Sequence, residues 1–259
     1  MKQSHHNATG AALPVRLAAF ALGFLLLPAA CADEAGGDGE DARRFQLLAE
    51  IQRQVQETSL QLGSDELDPR VAAALLAVPR HEFVPPMLRA QAYRNRPLPI
   101  GAGQTISQPY IVAIMSQLLG VGEGDRVYEL GTGSGYQAAV LAEMGVEVYT
   151  VEIVPELAEL ARATLGRLGY RKVHVRAGDG WLGWPEAAPF DGIIVTAAAE
   201  EIPRPLVDQL KTGGRLVIPV GPAGWVQQLI LLTKQADGTL ARREILPVRF
   251  VPVTGEHAP

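Results

Sequence analysis

Three acids in this chain stand where a carboxylate could hold a cationic or hydroxyl-bearing ligand. Glu129 nearly closes a short apolar run, Val127-Tyr-Glu-Leu130, and a glycine-rich turn, Gly131-Thr-Gly-Ser-Gly135, follows at once. Glu152 ends the next apolar run, Val146–Ile153. It comes about twenty residues after Gly131, where an acid can accept both hydroxyls of a ribose. Asp179 lies between Gly178 and Gly180 after a third run, Val173–Ala177, and is placed to accept from an adenine amino group. A strand that breaks into glycines and then a helix leaves backbone N–H groups bare, and a ligand can approach them closely. The helix expected here is Tyr136–Met144, with Ser134 as a capping side chain.

The glycine spacing discriminates between ligands. Gly131, Gly133 and Gly135 give G-x-G-x-G, and Tyr136 occupies the place where a dinucleotide fingerprint has its third glycine. A carboxylate at Glu129 would repel a pyrophosphate but attract a sulfonium and an α-ammonium. S-adenosylmethionine therefore fits better than NAD, with Glu129 and the turn Gly131, Thr132, Gly133, Ser134 and Gly135 at its methionine end. Glu152 would take its ribose, and Asp179 with Gly180 its adenine. The plain alternatives are a tight turn with incidental acids and an ordinary Asp-Gly turn. They lose ground because all three acids end apolar runs that would share one sheet edge.

The elements that must position these residues follow from the apolar pattern. Strands are expected at Arg126–Leu130, Glu147–Glu152, Val173–Ala177, Gly192–Thr196, Arg215–Val220, Gln227–Lys234 and Ile245–Val253. Helices are expected at Tyr136–Met144, Pro155–Leu168 and Pro205–Lys211. This alternation implies an α/β fold with a mostly parallel central sheet covered by helices on both faces. The last two strands lack an intervening helix and are joined through Asp237-Gly238, a hairpin signal, so an antiparallel C-terminal pair closes the sheet. Small residues in Thr196-Ala-Ala-Ala-Glu200 leave room for a substrate beside the donor.

An N-terminal helical extension precedes this core. Phe45, Leu48, Ile51 or Gln52, Val55 and Leu62 recur at helical spacing across Ala42–Leu62. Asp68-Pro69 caps a helix at Arg70–Ala77, Pro79–Pro86 stops it, and Met87–Tyr93 is a further short helix. Pro97–Gln108 reads as a polar loop ahead of an apolar helix, Pro109–Leu119. Such a loop is a good place for ligand contacts. Ser107 there is a plain N-cap, an anion-binding hydroxyl, or both. His81, inside a helix-ending motif, reads as structural.

The chain has 259 residues and a net charge of −5, enough for one substantial core and unfavourable to a nucleic-acid substrate. No metal site is indicated. Residues 1–32 have a separate character: polar Met1–Arg16, apolar Leu17–Leu27, then Pro28-Ala-Ala-Cys-Ala32. That is the layout of an export signal, and the apolar run is short for a membrane span. The single cysteine, Cys31, excludes an intrachain disulfide. It resembles a lipoprotein cleavage site, with cleavage after Ala32 as the other option. Asp33–Asp41, rich in Gly and acids, reads as a tether within a linker at 33–44, followed by an extension at 45–118, the core at 119–255 and a tail at 256–259.

Taken in order, Pro79-Arg-His-Glu-Phe-Val-Pro85, Gln104-Thr-Ile-Ser-Gln-Pro-Tyr110, Glu129–Tyr136, Gly178-Asp-Gly180, Phe190–Thr196, Leu210–Leu216 and Val248–Gly255 resemble the protein-L-isoaspartate O-methyltransferases. The resemblance runs from Phe45 to Gly255. The glycine motif alone specifies only class I methyltransferases; the Gln-Thr-Ile-Ser-Gln-Pro loop is narrower. The resemblance implies a Rossmann-like class I methyltransferase fold and S-adenosylmethionine as donor. The expected acceptor is the free α-carboxylate of L-isoaspartyl residues in damaged proteins and peptides. It implies Ser107 as the catalytic hydroxyl, Thr105, Ile106 and Gln108 beside the substrate, and backbone around Val251 and Pro252 pairing with the substrate chain. The expected protein is monomeric and cytoplasmic by family habit; the leader points instead to the periplasm, or to a membrane through a lipid on Cys31. A class I methyltransferase with another acceptor, and a non-catalytic adenosyl-binding envelope protein, are the competing readings.

Overall fold

The computed structural model describes residues 35–256. The leader reading at residues 1–32, Cys31 included, lies outside them. Seven strands form one sheet in the order β5-β4-β3-β6-β7-β8-β9, where β3 is Arg126–Leu130, β4 Glu147–Glu152, β5 Val173–Ala177, β6 Phe190–Val195, β7 Leu210–Val220, β8 Gln227–Lys234 and β9 Leu240–Val248. The first five run parallel, and β8 and β9 are antiparallel to their neighbours. Apolar side chains alternate between two cores, as the pleat requires. Val127, Val148, Ile194, Val217 and Leu231 belong to one core. Tyr128, Val151, Ile193, Leu216 and Ile230 belong to the other.

Helices α5 (Tyr136–Glu143) and α6 (Pro155–Arg167) link the parallel strands on the first face. There they meet the N-terminal extension: α1 (Ala35–Glu57), α2 (Ser59–Leu62), α3 (Pro69–Ala77) and α4 (Pro109–Leu119). Leu47, Ile51 and Val55, a stripe at four-residue spacing on α1, are buried in the same core as α4 and β3. Helix α7 is Arg204–Asp208. The chain reverses its strand order between β3 and β6, so the crevice above their carboxyl ends is where a ligand belongs in such a sheet.

Several boundaries differ from the expectation, each for a physical reason. The described part of the expected tether at Asp33–Asp41 is helical, since α1 begins at Ala35. Phe45 is exposed, because the buried stripe is offset to Leu47. The segment expected as a seventh strand at Ile245–Val253 instead runs Leu240–Val248, and Val251–Val253 leaves the sheet to make a single parallel bridge from Pro252 to Ala198. Strand β7 starts at Leu210, five residues before the expected Arg215, because Leu210 pairs with Phe190 before a register shift ahead of Arg215.

The polar loop is the largest departure. It folds as a hairpin of β1 (Leu98–Gly101) and β2 (Gln104–Ile106), with Leu98 opposite Ile106 and Pro99 opposite Thr105. Its turn needs Gly101 and Gly103 at φ 102° and 70°, and Ala102 is drawn to φ 48° between them. Leu98, Ile100 and Ile106 point into the core while Pro99 and Thr105 face out. The alternation was present in the sequence but too short to stand out among Pro, Gly and polar residues.

Candidate active site

One side of the cleft is built at the tips of β3 and β4. Their register sets Glu129 beside Thr150, and alternation puts Glu152 on the same sheet face. Glu129 is fully buried, yet it lines the cleft and neither carboxylate oxygen has a hydrogen-bond partner. Burial pushes its pKa from an ordinary 4.5 up to about 8; the adjacent charge of Glu152 adds to the rise, and the Thr150 hydroxyl opposes it only partly. That hydroxyl is already shared with Thr132 at 2.6 Å. A buried carboxyl with two unanswered oxygens is costly unless a ligand answers them.

The glycine turn is not the bare N–H nest expected from its sequence. The amides of Gly131 and Thr132 donate to the Val151 carbonyl at 2.9 and 3.3 Å, and that of Gly135 to the Thr132 carbonyl at 2.8 Å. Gly133 N–H donates to Glu152 Oε2 at 2.7 Å, while Val154 N–H donates to Oε1 at 3.0 Å. Glu152 therefore closes the turn onto β4, and each of its oxygens keeps a second lone pair for a hydroxyl. With the amides of Gly131, Thr132, Gly133 and Gly135 committed, the turn offers an anion little, whereas the acids favour a cation. Packing within the protein demands glycine at two places: a Cβ on Gly131, at φ 96°, would sit 2.5 Å from Thr196 Oγ1, and one on Gly180 would sit 2.9 Å from Leu130.

Ser134 does not act as the helix cap. Gly135 holds the N-cap position of α5, and Ser134 Oγ lies a long 3.4 Å from the Tyr136 amide. Tyr136 replaces the third glycine for a visible reason: its ring packs edge-on against Phe83 and under the guanidinium of Arg80. Both partners come from the N-terminal extension. Asp179 caps the short 3-10 turn Gly180–Leu182 through the Trp181 amide at 2.9 Å and packs against Gly255. Gly180, not Asp179, lines the cleft.

The acceptor side faces this wall. Ser107 follows β2 directly, and Gln108 takes the N-cap position of α4 without a side-chain cap bond. The helix start is instead held from outside, by Asn95 Oδ1 on the Tyr110 amide at 3.0 Å. Ser107 is fixed through its carbonyl, which accepts from Arg80 Nη2 at 2.8 Å. Val251 and Val253 pair with Ala198 at 2.7 and 2.8 Å. The Phe250 amide donates to Gln227 Oε1 at 2.9 Å.

Two cavities meet here. The first, about 750 Å³ with its mouth, holds Glu129, Gly131–Ser134 and Glu152 together with Thr105, Ile106, Ser107, Val251 and Pro252. The second, about 1360 Å³ with its mouth, runs past Gln54, Thr58, Gln108 and Phe250. Thr105, Ser107, Thr196 and Val251 line both. His81 lies outside both and bonds Tyr93 through Nδ1 at 2.7 Å, in keeping with a structural role. Among the described residues no cluster of His, Cys, Asp and Glu could hold a metal ion.

Sequence reasoning missed Arg80, Asn95 and Thr196. Thr196 Oγ1 donates to the carbonyls of Leu130 and Gly131 at 3.0 and 2.5 Å, strapping β6 to the turn. Arg80 carried little signal, since His81 and Glu82 beside it give the motif the look of an exposed turn. Asn95 carried none.

The residues fit an adenosyl sulfonium donor. Two orphaned carboxylate oxygens answer an ammonium, and Glu152 retains lone pairs for hydroxyls. Comparison with known proteins agrees. The family model described as protein-L-isoaspartate(D-aspartate) O-methyltransferase matches residues 56–258. Protein-L-isoaspartate O-methyltransferase 2 of Syntrophobacter fumaroxidans is 55% identical, over 97% of this chain and 99% of its own. That of a Polaromonas species is 58% identical, over 81% of this chain and 100% of its own. A solved protein-L-isoaspartate O-methyltransferase superposes with TM-score 0.72 at 30% identity, over 83% of this chain and 67% of its own.

Proposed function

The chain belongs to the protein-L-isoaspartate(D-aspartate) O-methyltransferase family, and from that premise we propose how its two cavities divide the reaction. The enzyme moves a methyl group from S-adenosylmethionine to the free α-carboxylate of an L-isoaspartyl residue in damaged proteins and peptides. The donor supplies an electrophilic methyl on a sulfonium. Glu129 holds the ammonium of its methionine end, the turn at Gly131–Gly135 admits it closely, and Glu152 takes the ribose hydroxyls. Gly180 bounds the adenine region, with Asp179 shaping it as a cap.

The acceptor needs no strong base. A carboxylate is ionised at neutral pH, its pKa being about 4. The protein's task is to bring it up behind the methyl in line with the sulfur, and positioning of this kind can account for several orders of magnitude in rate. Ser107 donates its hydroxyl proton in a hydrogen bond to one carboxylate oxygen and leaves the other free to attack. The substrate backbone lies along Val251–Thr254, with Thr105, Ile106 and Gln108 opposite. One edge of that segment is already paired with Ala198, so an incoming chain has only the other, where Pro252 offers no N–H. The second cavity receives the flanking residues of the acceptor chain.

The observation that carries this reading is that Ser107 lies on the shared rim of both cavities. Matched isoaspartyl and aspartyl peptides, incubated with S-adenosylmethionine, test it: transfer to the isoaspartyl peptide alone is expected, and equal transfer to both, or to neither, refutes it.

The leader is read as an export signal, leaving a periplasmic protein or one anchored by a lipid on Cys31. The Syntrophobacter relative supports a coding leader, because a match over 97% of this chain must run into it. Intact-mass analysis of the mature N-terminus after fractionation tests this: a processed membrane or periplasmic form is expected, and an unprocessed Met1 in the soluble cytoplasm refutes it.

A further inference from the structure

Arg80 is fully buried, on a short 3-10 turn (Arg80–Phe83) that lines neither cavity. Its Nε donates to the Ala92 carbonyl at 2.9 Å and its Nη2 to the Ser107 carbonyl at 2.8 Å, while Nη1 has no partner. The guanidinium carbon stands 4.6 Å from the centre of the Tyr136 ring. Tyr136 opens α5 directly after the glycine turn, and it too lines the donor cavity. Desolvation draws the Arg80 pKa down from its ordinary value to about 10, and the groups that offset this are Tyr136 and Tyr93, not carboxylates. Burying a cation without a counter-ion is costly, and ion-pair stability does not explain its presence.

What the side chain does accomplish is geometric. One rigid fork grips the residue that presents the acceptor hydroxyl, and its flat face rests on the residue that opens the donor helix. We propose that Arg80 is a positioning residue for methyl transfer, fixing the Ser107 hydroxyl relative to the donor turn by holding the Ser107 carbonyl and the Tyr136 ring at once. The inference rests on Ser107 being the acceptor-side hydroxyl. A lysine would keep the charge but not the planar fork, so it could not span both carbonyls and stack on the ring. An in-line displacement is sensitive to such loosening, because an ångström of misplacement costs about a hundredfold in rate.

The test is a double-mutant cycle on kcat with the isoaspartyl peptide, in wild type, Arg80→Lys, Ser107→Ala and the double variant, with S-adenosylhomocysteine affinity measured alongside. Arg80→Lys is expected to lower kcat at least about tenfold with product affinity within about twofold, and to cost less than about twofold when Ser107 is already Ala. Equal losses in both backgrounds, or no loss in the first, overturn the proposal while Ser107 keeps its role. A Ser107→Ala protein as active as wild type overturns both. Should Arg80→Lys not fold, the guanidinium NMR signals of Arg80 in the wild-type protein are followed as peptide is added with S-adenosylhomocysteine present. A shift with the isoaspartyl but not the aspartyl peptide is expected; no shift overturns the proposal.

Discussion

Between Glu129 and Glu152 the cleft wall is a continuous hydrogen-bonded surface. Gly131, Thr132, Gly133 and Val154 all tie their amides to β4 or its closing acid, and Thr196 straps the turn from the other side. Across the cleft, Ser107 is reached through a side-chain contact from Arg80, and the first turn of the helix after it through Asn95 on the Tyr110 amide and Thr58 on the Tyr110 hydroxyl. The donor wall is assembled from neighbouring strands of one sheet. The acceptor wall is assembled from a hairpin, a buried arginine, and a C-terminal segment that has left the sheet. A fixed small molecule suits the first, and a peptide of variable sequence suits the second.

If that contrast holds, damage to the acceptor wall should strike turnover and damage to the donor wall should strike binding. The largest effect is expected at Ser107: replacement with Ala should lower kcat about 10²–10³-fold, the scale of one lost preorganised donor, while S-adenosylhomocysteine affinity persists. Calorimetry beside single-turnover rates reads both, and a matching loss of affinity would blur the distinction between the walls. Next comes Gly131→Ala, whose Cβ meets Thr196 Oγ1 at 2.5 Å with φ at 96°. It should weaken donor binding at least tenfold and cost about 1–3 kcal/mol of stability by thermal melt. Adding Thr196→Ala should recover part of the loss; no recovery would mean the turn is not packed as described.

Glu129 sharpens the comparison through pH. Its folded pKa of about 8 exceeds the ordinary 4.5, so the folded protein without donor holds a proton that the unfolded chain has released. This contribution to stability is fully present below about pH 4.5 and is lost as pH rises toward about 8. Donor binding runs the other way. A cation requires the ionised carboxylate, so affinity should rise by up to about tenfold per pH unit between pH 6 and 8 and then level off. Glu129→Gln should flatten the titration; a wild-type affinity independent of pH would remove Glu129 from the ammonium. The smallest effect is expected at Asp179. As a cap set off from the cleft lining, Asp179→Ala should cost about 1 kcal/mol of stability and only a few-fold in donor affinity. A loss beyond tenfold would place the adenine against the carboxylate itself.

The same contrast explains what could be read in the chain beforehand. Strands β3, β4 and β5 and the cleft acids Glu129 and Glu152 were legible because their signals are local: the strands end close to where the apolar runs end, and the acids fall at fixed distances from the glycines. The proposed role of Ser107 comes from family likeness, not from spacing. Arg80 and Thr196 escaped because their partners lie 27 and 65 residues away, a distance no local pattern spans. Four of the amides expected to be bare, those of Gly131, Thr132, Gly133 and Gly135, proved committed, since the register of β3 on β4 cannot be read from the turn alone. That miss strengthened the reading, because a turn poor in free amides disfavours phosphate.

The most direct test of the account is a structure with S-adenosylhomocysteine and an isoaspartyl peptide bound together. The account predicts the spent sulfur at the glycine turn, the ligand ammonium on Glu129, and the peptide α-carboxylate within hydrogen-bonding reach of Ser107 Oγ, on the line toward the sulfur. A carboxylate held elsewhere, with Ser107 facing neither it nor the sulfur, would contradict it.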